Sequence, residues 1–482
     1  MKGLTLNKYL LSAVVFAGFI ATGQTENIQE FGPIIADLRK PPLLVTKPQA
    51  ETPFADQEKI IQELYDLFLF DLAFADAFQV FPETPQAAIL IQQDKQNNTF
   101  DYAQWKQLKF QDDMPEYVVE TVLVPRGEGK YQLNLLVYDL VDGKRAIGTA
   151  YGADPHPPFG AKDLRRAGHR ATAQIIGELT NGLIEPITET KIAFVNHNSV
   201  KRIKELYLID YDGWKDSLIQ LTYFNSITLF PDWSPDGADL AYVSFKNEWP
   251  DCFIQNVATG KVFTLAKFLG TNTTPRWYPD GQNLALSLSA PGNQEIYRIP
   301  RTGGKPVRLT HTNNDAIDEA PDVSPDGNQI AFTSDRNGKP QIYVMDANGA
   351  NIRRISYVDG GQRKCDTPQW SPVPIDNKKQ NKKDFRIAFT GFFDSLQSDI
   401  FSVWQDGSDL QMISEHVGEN HNPSWSPNGK YIAYASNRLG KYDIFIAPSE
   451  PGRLIFIGDK GMRNYRVTYL GGDNLSPAWS PK

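Results

Sequence analysis

The sequence predicts an N-terminal α/β domain followed by a six-bladed β-propeller closed by strands from both ends of the chain. Three observations carry that prediction. Anchor residues recur at Trp233, Trp277, Val323, Trp370, Trp425 and Trp479, spaced 44, 46, 47, 55 and 54 residues apart. Four anchors lead into a Pro-Asp-Gly or Pro-Asn-Gly turn, at Pro235, Pro279, Pro325 and Pro427, whose residue types suit successive positions of a β-turn. The repeat is also broken in a complementary way. Lys191–Val195 reads as a second strand without its first, and "SPAWSPK" reads as a first strand without its second. Four short strands per 40-odd residues is the signature of a propeller blade, and the two fragments together make one blade.

Taken in order, Lys2 and Lys8 flank or precede the apolar run Tyr9–Ile20, with small residues and a cleavage position after Gly23. This is the pattern of a secretory signal peptide over residues 1–23. Twelve residues rise only about 18 Å as a helix, short of the roughly 30 Å hydrocarbon core, so an exported, soluble protein is expected rather than a membrane-embedded one. Residues 24–57 carry five prolines and little periodicity, and are expected to form a mobile arm with one strand at Pro42–Thr46. Ile60, Ile61, Leu64, Leu67 and Phe68 then recur at helical spacing, and Asp101–Phe110 reads as a shorter helix. Two strands, "EYVVETVLVP" and "YQLNLLVYDL", turn at Val141-Asp142-Gly143 into "RAIGTAYG". A second amphipathic helix places Leu164, Gly168, Ala171, Ile175 and Leu179 on one side and stops at Asn181-Gly182. The α/β domain is assigned to 58–186 and the propeller to 187–482.

Within the propeller, each turn leads to an alternating strand such as "DLAYVS", "QIAFTS" or "YIAYAS", then to a third such as "QIYVM" or "DIFIA". The long spacings locate a lysine-rich insertion at Val373–Asp384 and a longer final connection at Gly461–Asp473. Cys252 and Cys365 fall in different repeats and read as free, buried thiols.

The composition narrows the chemistry. A net charge of −8 argues against nucleic acid as partner. The anchor tryptophans read as wedges between blades, and the Asp and Asn of the turns as turn residues, one per blade, too dispersed for one metal ion. The six histidines form no His-Glu-x-x-His pattern, and His169, inside a helix, reads as a packing residue. No Gly-x-Ser-x-Gly elbow and no Gly-rich phosphate loop occur. No cofactor, no metal and no catalytic residue is therefore assigned. What remains is surface: the loops entering each innermost strand, including "GTNTTPRW", "NNDAIDEAPDV", "RKCDTPQW" (Arg363–Trp370), "GENHNPSW" and "GGDNLSPAW", are rich in Asn, Asp, Thr and Glu and converge on one mouth of the channel.

The repeat "P-x-W-S-P-D-G-x-x-I-A-F-x-S", together with "DYAQW", "LLVYDLVDGK", "LRRAGHRATAQIIGELTNG" and "TKIAFV", resembles the TolB family over residues 55–482. The resemblance departs at Val323, in the lysine-rich insertion, in the final connection and in the N-terminal arm. It implies a monomeric periplasmic adaptor without catalysis. Such an adaptor binds the lipoprotein Pal at the propeller mouth and communicates with TolA through the arm and α/β domain, in support of cell division and envelope integrity. On this chain it implies a Pal face of Asn272, Thr274, Asp318, Glu319, Asn420, His421 and Asn422. It also implies a regulatory arm including Gln24, Ile28, Phe31 and Ile34. The alternatives from other classes are an exported propeller hydrolase, which requires convergent carboxylates or a metal in the channel, and a glycan-binding module.

Overall fold

The computed structural model describes residues 39–481, apart from 111–112, 128, 155, 291, 313–315, 378–379, 381, 394–396 and 458–459. The signal-peptide assignment and the arm residues Gln24, Ile28, Phe31 and Ile34 therefore lie outside the described residues.

The α/β domain is built on strands β1 (Pro42–Val45), β2 (Gln49–Ala50), β3 (Gln79–Pro82), β4 (Tyr117–Pro125), β5 (Lys130–Asp139), β6 (Lys144–Tyr151) and β7 (Phe159–Gly160). Its helices are α1 (Gln57–Phe74), α2 (Pro85–Asn97), α3 (Tyr102–Trp105) and α4 (Ala161–Leu179). The sheet runs β3-β1-β4-β5-β6, with β1 parallel to both neighbours and β4, β5 and β6 antiparallel; β2 adds to β4 in parallel and β7 to β5 antiparallel. Strand β1 is buried on both faces. Leu43 and Val45 meet α1 and α4, while Leu44 meets the α2–α3 side. An unbroken apolar run is what a two-sided interior strand requires. Residues 42–50 are thus part of the sheet and not of the linker, which corrects the arm boundary drawn at residue 57. On α4, a side chain at Gly168 would run into Leu64 and Leu67 of α1, so the glycine sets how closely the two helices approach. The helix expected over 101–110 is confined to the single turn of α3.

Six four-stranded antiparallel sheets follow among the described residues. Five are continuous, with innermost strands Thr228–Trp233, Asn272–Trp277, Asp318–Val323, Lys364–Trp370 and Asn420–Trp425 in blades one to five. The sixth joins Asp473–Trp479 to Lys191–Asn198, Ile203–Asp210 and Ile219–Gln220. The C-terminal strand thus completes the N-terminal blade, as the broken repeat predicts.

The turn motif explains why each blade begins where it does. The Ser234 hydroxyl donates to Asp236 at 2.5 Å and accepts the Asp239 N–H at 2.9 Å. The same pair of bonds recurs at Ser324 and at Ser426. Gly237, Gly327 and Gly429 follow with φ near 70°, in the left-handed region that glycine enters without the steric cost of a Cβ. The anchors wedge between blades. The indole N–H groups of Trp233, Trp370 and Trp425 donate to the preceding blade's Ala478, Asp322 and Gln369 carbonyls at 3.0, 3.2 and 3.0 Å. The lysine-rich insertion forms a hairpin of Ile375–Asn377 and Lys382–Asp384. The final connection contains the outer strand of blade five, Tyr465–Arg466.

The α/β domain packs on the turn side of blades five and six. Phe74 packs against Tyr431 in a tilted pair with ring centroids 4.6 Å apart, the Phe70 ring centroid lies 5.2 Å from that of Tyr465, and the Tyr431 hydroxyl donates to the Phe74 carbonyl. Asn428, in a blade turn, donates to the Glu185 carbonyl at 3.1 Å.

Candidate functional site

The opposite side of the propeller is built from two kinds of loop that lie next to each other. The loop entering each innermost strand touches the loop between the second and third strands, as in Phe245 N–H to the Ile227 carbonyl at 2.9 Å and Asn437 N–H to the Glu419 carbonyl at 3.2 Å. These loops expose Tyr223, Trp249, Leu269, Leu439 and Tyr469, from 59 to 88 % accessible. Scattered exposed apolar residues are ordinary, but these five all lie on loops of blades one, two, five and six at the face opposite the α/β domain.

Every innermost strand enters the channel through the same irregularity. Three residues before each anchor, Phe230, Thr274, Ala320, Thr367, Asn422 and Ser476 adopt φ between 47 and 55°, and a proline follows each. The ladder to the second strand shifts register at the same place in all six blades. Each is a β-bulge, where the pairing breaks and a proline is tolerated.

The bulge decides where the seven expected site residues go, because it inverts the in–out alternation upstream of it. Asn272, Asp318 and Asn420, five residues before their anchors, are wholly buried, as are Thr228, Cys365 and Asn474 in the other blades. Asn272 accepts from Phe268 N–H and donates to its carbonyl, both at 2.9 Å. Asp318 takes a two-pronged bond from Arg336 at 3.0 and 2.9 Å. Asn420 donates to the Ser398 carbonyl and to Asp399 at 3.0 and 3.1 Å. Thr274 is 8 % exposed and shares a hydrogen bond with Ser287 at 3.0 Å. These four side chains are spent on holding the loops. Glu319, His421 and Asn422 remain half-buried at the mouth.

The mouth is electrostatically uneven. Burial, with the Asp366 and Asp335 charges behind it, pushes the Glu319 carboxyl up to about 7. Burial likewise raises Asp366, which the Thr333 hydroxyl and Thr367 N–H partly offset. Burial lowers His421, whose ring lies 5.4 Å from Phe392 and 5.8 Å from Tyr442. Beside it opens a cleft of about 460 Å³ lined by Lys339, Arg363, Lys364, Phe392, Phe393 and Glu419. Sequence reasoning placed the loop Arg363–Trp370 at the mouth, but named neither this cleft nor Asp366 as a site. Its aromatic wall comes from the end of a second strand and its base from an entry loop, so only their spatial neighbourhood unites them. The lysine-rich hairpin is elsewhere: Lys382 and Asp384 line a polar cleft with Asp326 and Asp346, residues of the turn side.

Deeper in the channel, a girdle ties consecutive blades. The side chains of Asp232, Asp322, Gln369 and Ser424 accept the backbone N–H of Trp277, Trp370, Trp425 and Trp479 in the next blade, at 2.7 to 2.8 Å. Arg276 joins the ring, 3.3 Å from Asp232 and 3.8 Å from Asp322. The carboxylates that sequence reasoning did not find in the channel are therefore present, engaged with backbone amides and a guanidinium.

Comparison with known proteins bears on this architecture. The family described as the TolB β-propeller domain matches residues 182–391. The Tol-Pal system protein TolB of Bordetella pertussis is 31 % identical over 361 residues, 74 % of this chain and 73 % of that protein. A TolB homolog of Chlorobium luteolum is 29 % identical over 352 residues, 73 % and 72 % of the two chains. The crystal structure of TolB from Acinetobacter baumannii superposes with a TM-score of 0.69, covering 92 % of this chain and 97 % of that one at 22 % identity, a likeness of fold. The repeats, the closing blade and the extent of these matches together place the chain in the TolB family.

Proposed function

We propose that this chain is the TolB component of a Tol–Pal system, a periplasmic adaptor without catalysis. In this reading the propeller mouth binds Pal, the N-terminal arm and α/β domain signal to TolA, and the complex serves outer-membrane invagination and envelope integrity. The observation that supports the mouth assignment is the set of exposed Tyr223, Trp249, Leu269, Leu439 and Tyr469 on the loops of the same face as the polar entrance holding Glu319, His421 and Asn422. Aromatic and aliphatic groups on loops held by a rigid scaffold are suited to protein docking, with polar groups fixing register. Family membership at 31 % identity supports the system, and the relative's own name supports the partner.

The hydrolase alternative draws on the channel carboxylates. Asp232 and Asp322 are engaged with the Trp277 and Trp370 amides and with Arg276, which favours a structural use.

Calorimetric titration with the soluble domain of the same organism's Pal tests the reading. Saturable binding is expected, weakened by at least about tenfold in Trp249→Ala and lost in the combined His421→Ala, Asn422→Ala variant. Wild-type protein that is folded and shows no heat with Pal would sink the mouth assignment.

A further inference from the structure

A second polar cluster lies away from the mouth, where the α/β domain meets the propeller. His169, on α4, is 4 % exposed. Its Nδ1 lies 2.8 Å from Asp71 Oδ2 on α1. The same carboxylate accepts the Thr172 hydroxyl at 2.5 Å and, through Oδ1, the Tyr211 hydroxyl at 2.6 Å. On the other side of the ring, His169 Nε2 lies 3.8 Å from Asp212 Oδ2 and has no hydrogen-bond partner among the described residues. Asp212 is ion-paired with Arg165 and accepts the Trp214 N–H at 3.1 Å. The Tyr465 hydroxyl donates to the Asp212 carbonyl at 2.6 Å. Asp71, Arg165 and His169 belong to the α/β domain, whereas Tyr211, Asp212 and Tyr465 belong to the propeller.

The charges facing the imidazole make its proton matter. With both carboxyls ionised, Asp71 from α1, Asp212 from the propeller and Arg165 from α4 sum to one negative charge if the ring is neutral, and to zero if both nitrogens are protonated; burial raises the Asp212 carboxyl, and the Arg165 and His169 charges oppose that rise. A buried site disfavours the uncompensated charge. Burial alone would lower the affinity of His169 for its proton. The Asp71 charge and hydrogen bond, followed by Asp212, outweigh it and raise the pKa above the ordinary imidazole value, against the opposition of Arg165. The ligand atoms of Asp71, His169 and Asp212 are close enough to hold a metal ion. Arg165 already sits on Asp212, however, and both Asp71 oxygens accept hydroxyl donors, so the groups are arranged for a proton.

We propose that His169 is a proton-dependent lock between the two domains: the imidazolium bridges Asp71 of the α/β domain and Asp212 of the propeller, and loss of its proton loosens their junction. The sign follows from linkage. A histidine with a raised folded-state pKa contributes in full below the ordinary imidazole range, and that contribution is lost as pH rises through the raised value. A domain that must move relative to the propeller would thereby do so more readily in an alkaline than in an acidic compartment.

The test uses the full chain labelled with ¹⁵N at its six histidines. Imidazole nitrogen shifts are followed from pH 5.5 to 9, alongside amide exchange of α1 and α4 corrected for intrinsic rates. His169 should titrate above the ordinary range near 6.5, and exchange at the C-terminal end of α1 should rise by up to about tenfold per pH unit between that range and the raised midpoint, then level off above it. Asp212→Asn should move that midpoint down, and His169→Gln should flatten the exchange profile. If His169→Gln does not fold, the wild-type midpoint and its shift in Asp212→Asn decide. The proposal is overturned if Nε2 stays unprotonated throughout, or if exchange ignores the titration. It is equally overturned if micromolar zinc slows exchange reversibly by chelator, which would make the cluster a metal site.

Discussion

Arg276 shows how one side chain can hold a ring together. It reaches back to the Pro231 carbonyl and Asp232 at 3.2 and 3.3 Å and forward to Asp322 at 3.8 Å, so it spans three blades. Asp322 needs this cation. Burial raises its carboxyl to about 7 even with Arg276 beside it, and the Asp232 charge adds to the rise. A carboxyl whose folded pKa is raised stabilises the fold below its unfolded value, and that contribution is lost as pH climbs toward 7. In Arg276→Met the two carboxylates face each other without a counter-charge, and the loss extends to still higher pH. The variant should be destabilised by about 3–5 kcal/mol at pH 8, the range for breaking a buried pair, and by clearly less at pH 5, where a proton replaces the guanidinium. Urea unfolding at the two pH values measures the difference. Equal deficits at both would mean that Arg276 acts through packing and not through charge.

At the scale of strands and helices, the anchor tryptophan is the unit that couples one blade to the next. Trp425 is 4 % exposed, packs with Ala388, Ile400 and Ile432 across blades four and five, and donates to the Gln369 carbonyl. Trp425→Ala should cost about 3–5 kcal/mol, as for a large aromatic removed from a core, seen as a lower urea midpoint. An unchanged midpoint would contradict the wedge role. Blade elements were legible in the sequence because their signals are local: a Ser-Pro-Asp-Gly turn writes its own hydrogen bonds. Helix α2 was not legible, since it buries only Ala87 and Ile91 and has little apolar stripe to read. Strand β1 was seen, but its proline neighbours made it look like linker. The candidate site was legible as a set of loops and only partly as residues. The bulge before each anchor turns Asn272, Asp318 and Asn420 inward, and a strict alternation cannot foresee that inversion.

For the molecule as a whole, closure is the step on which every other contact depends. The strand Asp473–Trp479 pairs with Lys191–Asn198, and Gly472 just before it has φ of 86° at a place where a side chain would strike the His197 carbonyl. Trp479 then donates its backbone N–H to Ser424 at 2.8 Å and its indole N–H to Thr190 at 2.8 Å, joining blade five, the closing blade and the junction with the α/β domain. Asn474 adds a bond to Asp443 at 2.9 Å, again across blades. Ending the chain at Gly471 would remove all of these together. It would also leave the inner edge of Lys191–Asn198 unpaired and uncover Trp233, whose indole bonds the Ala478 carbonyl. An exposed inner edge is a template for association with other chains. The truncated protein is therefore expected to lose cooperative unfolding and to elute as aggregate in size-exclusion chromatography. The peptide 472–482 added in trans should restore part of the monomer, because the pairing it completes is non-covalent. A truncated chain that unfolds cooperatively at the wild-type urea midpoint would show that five complete blades hold the ring without closure.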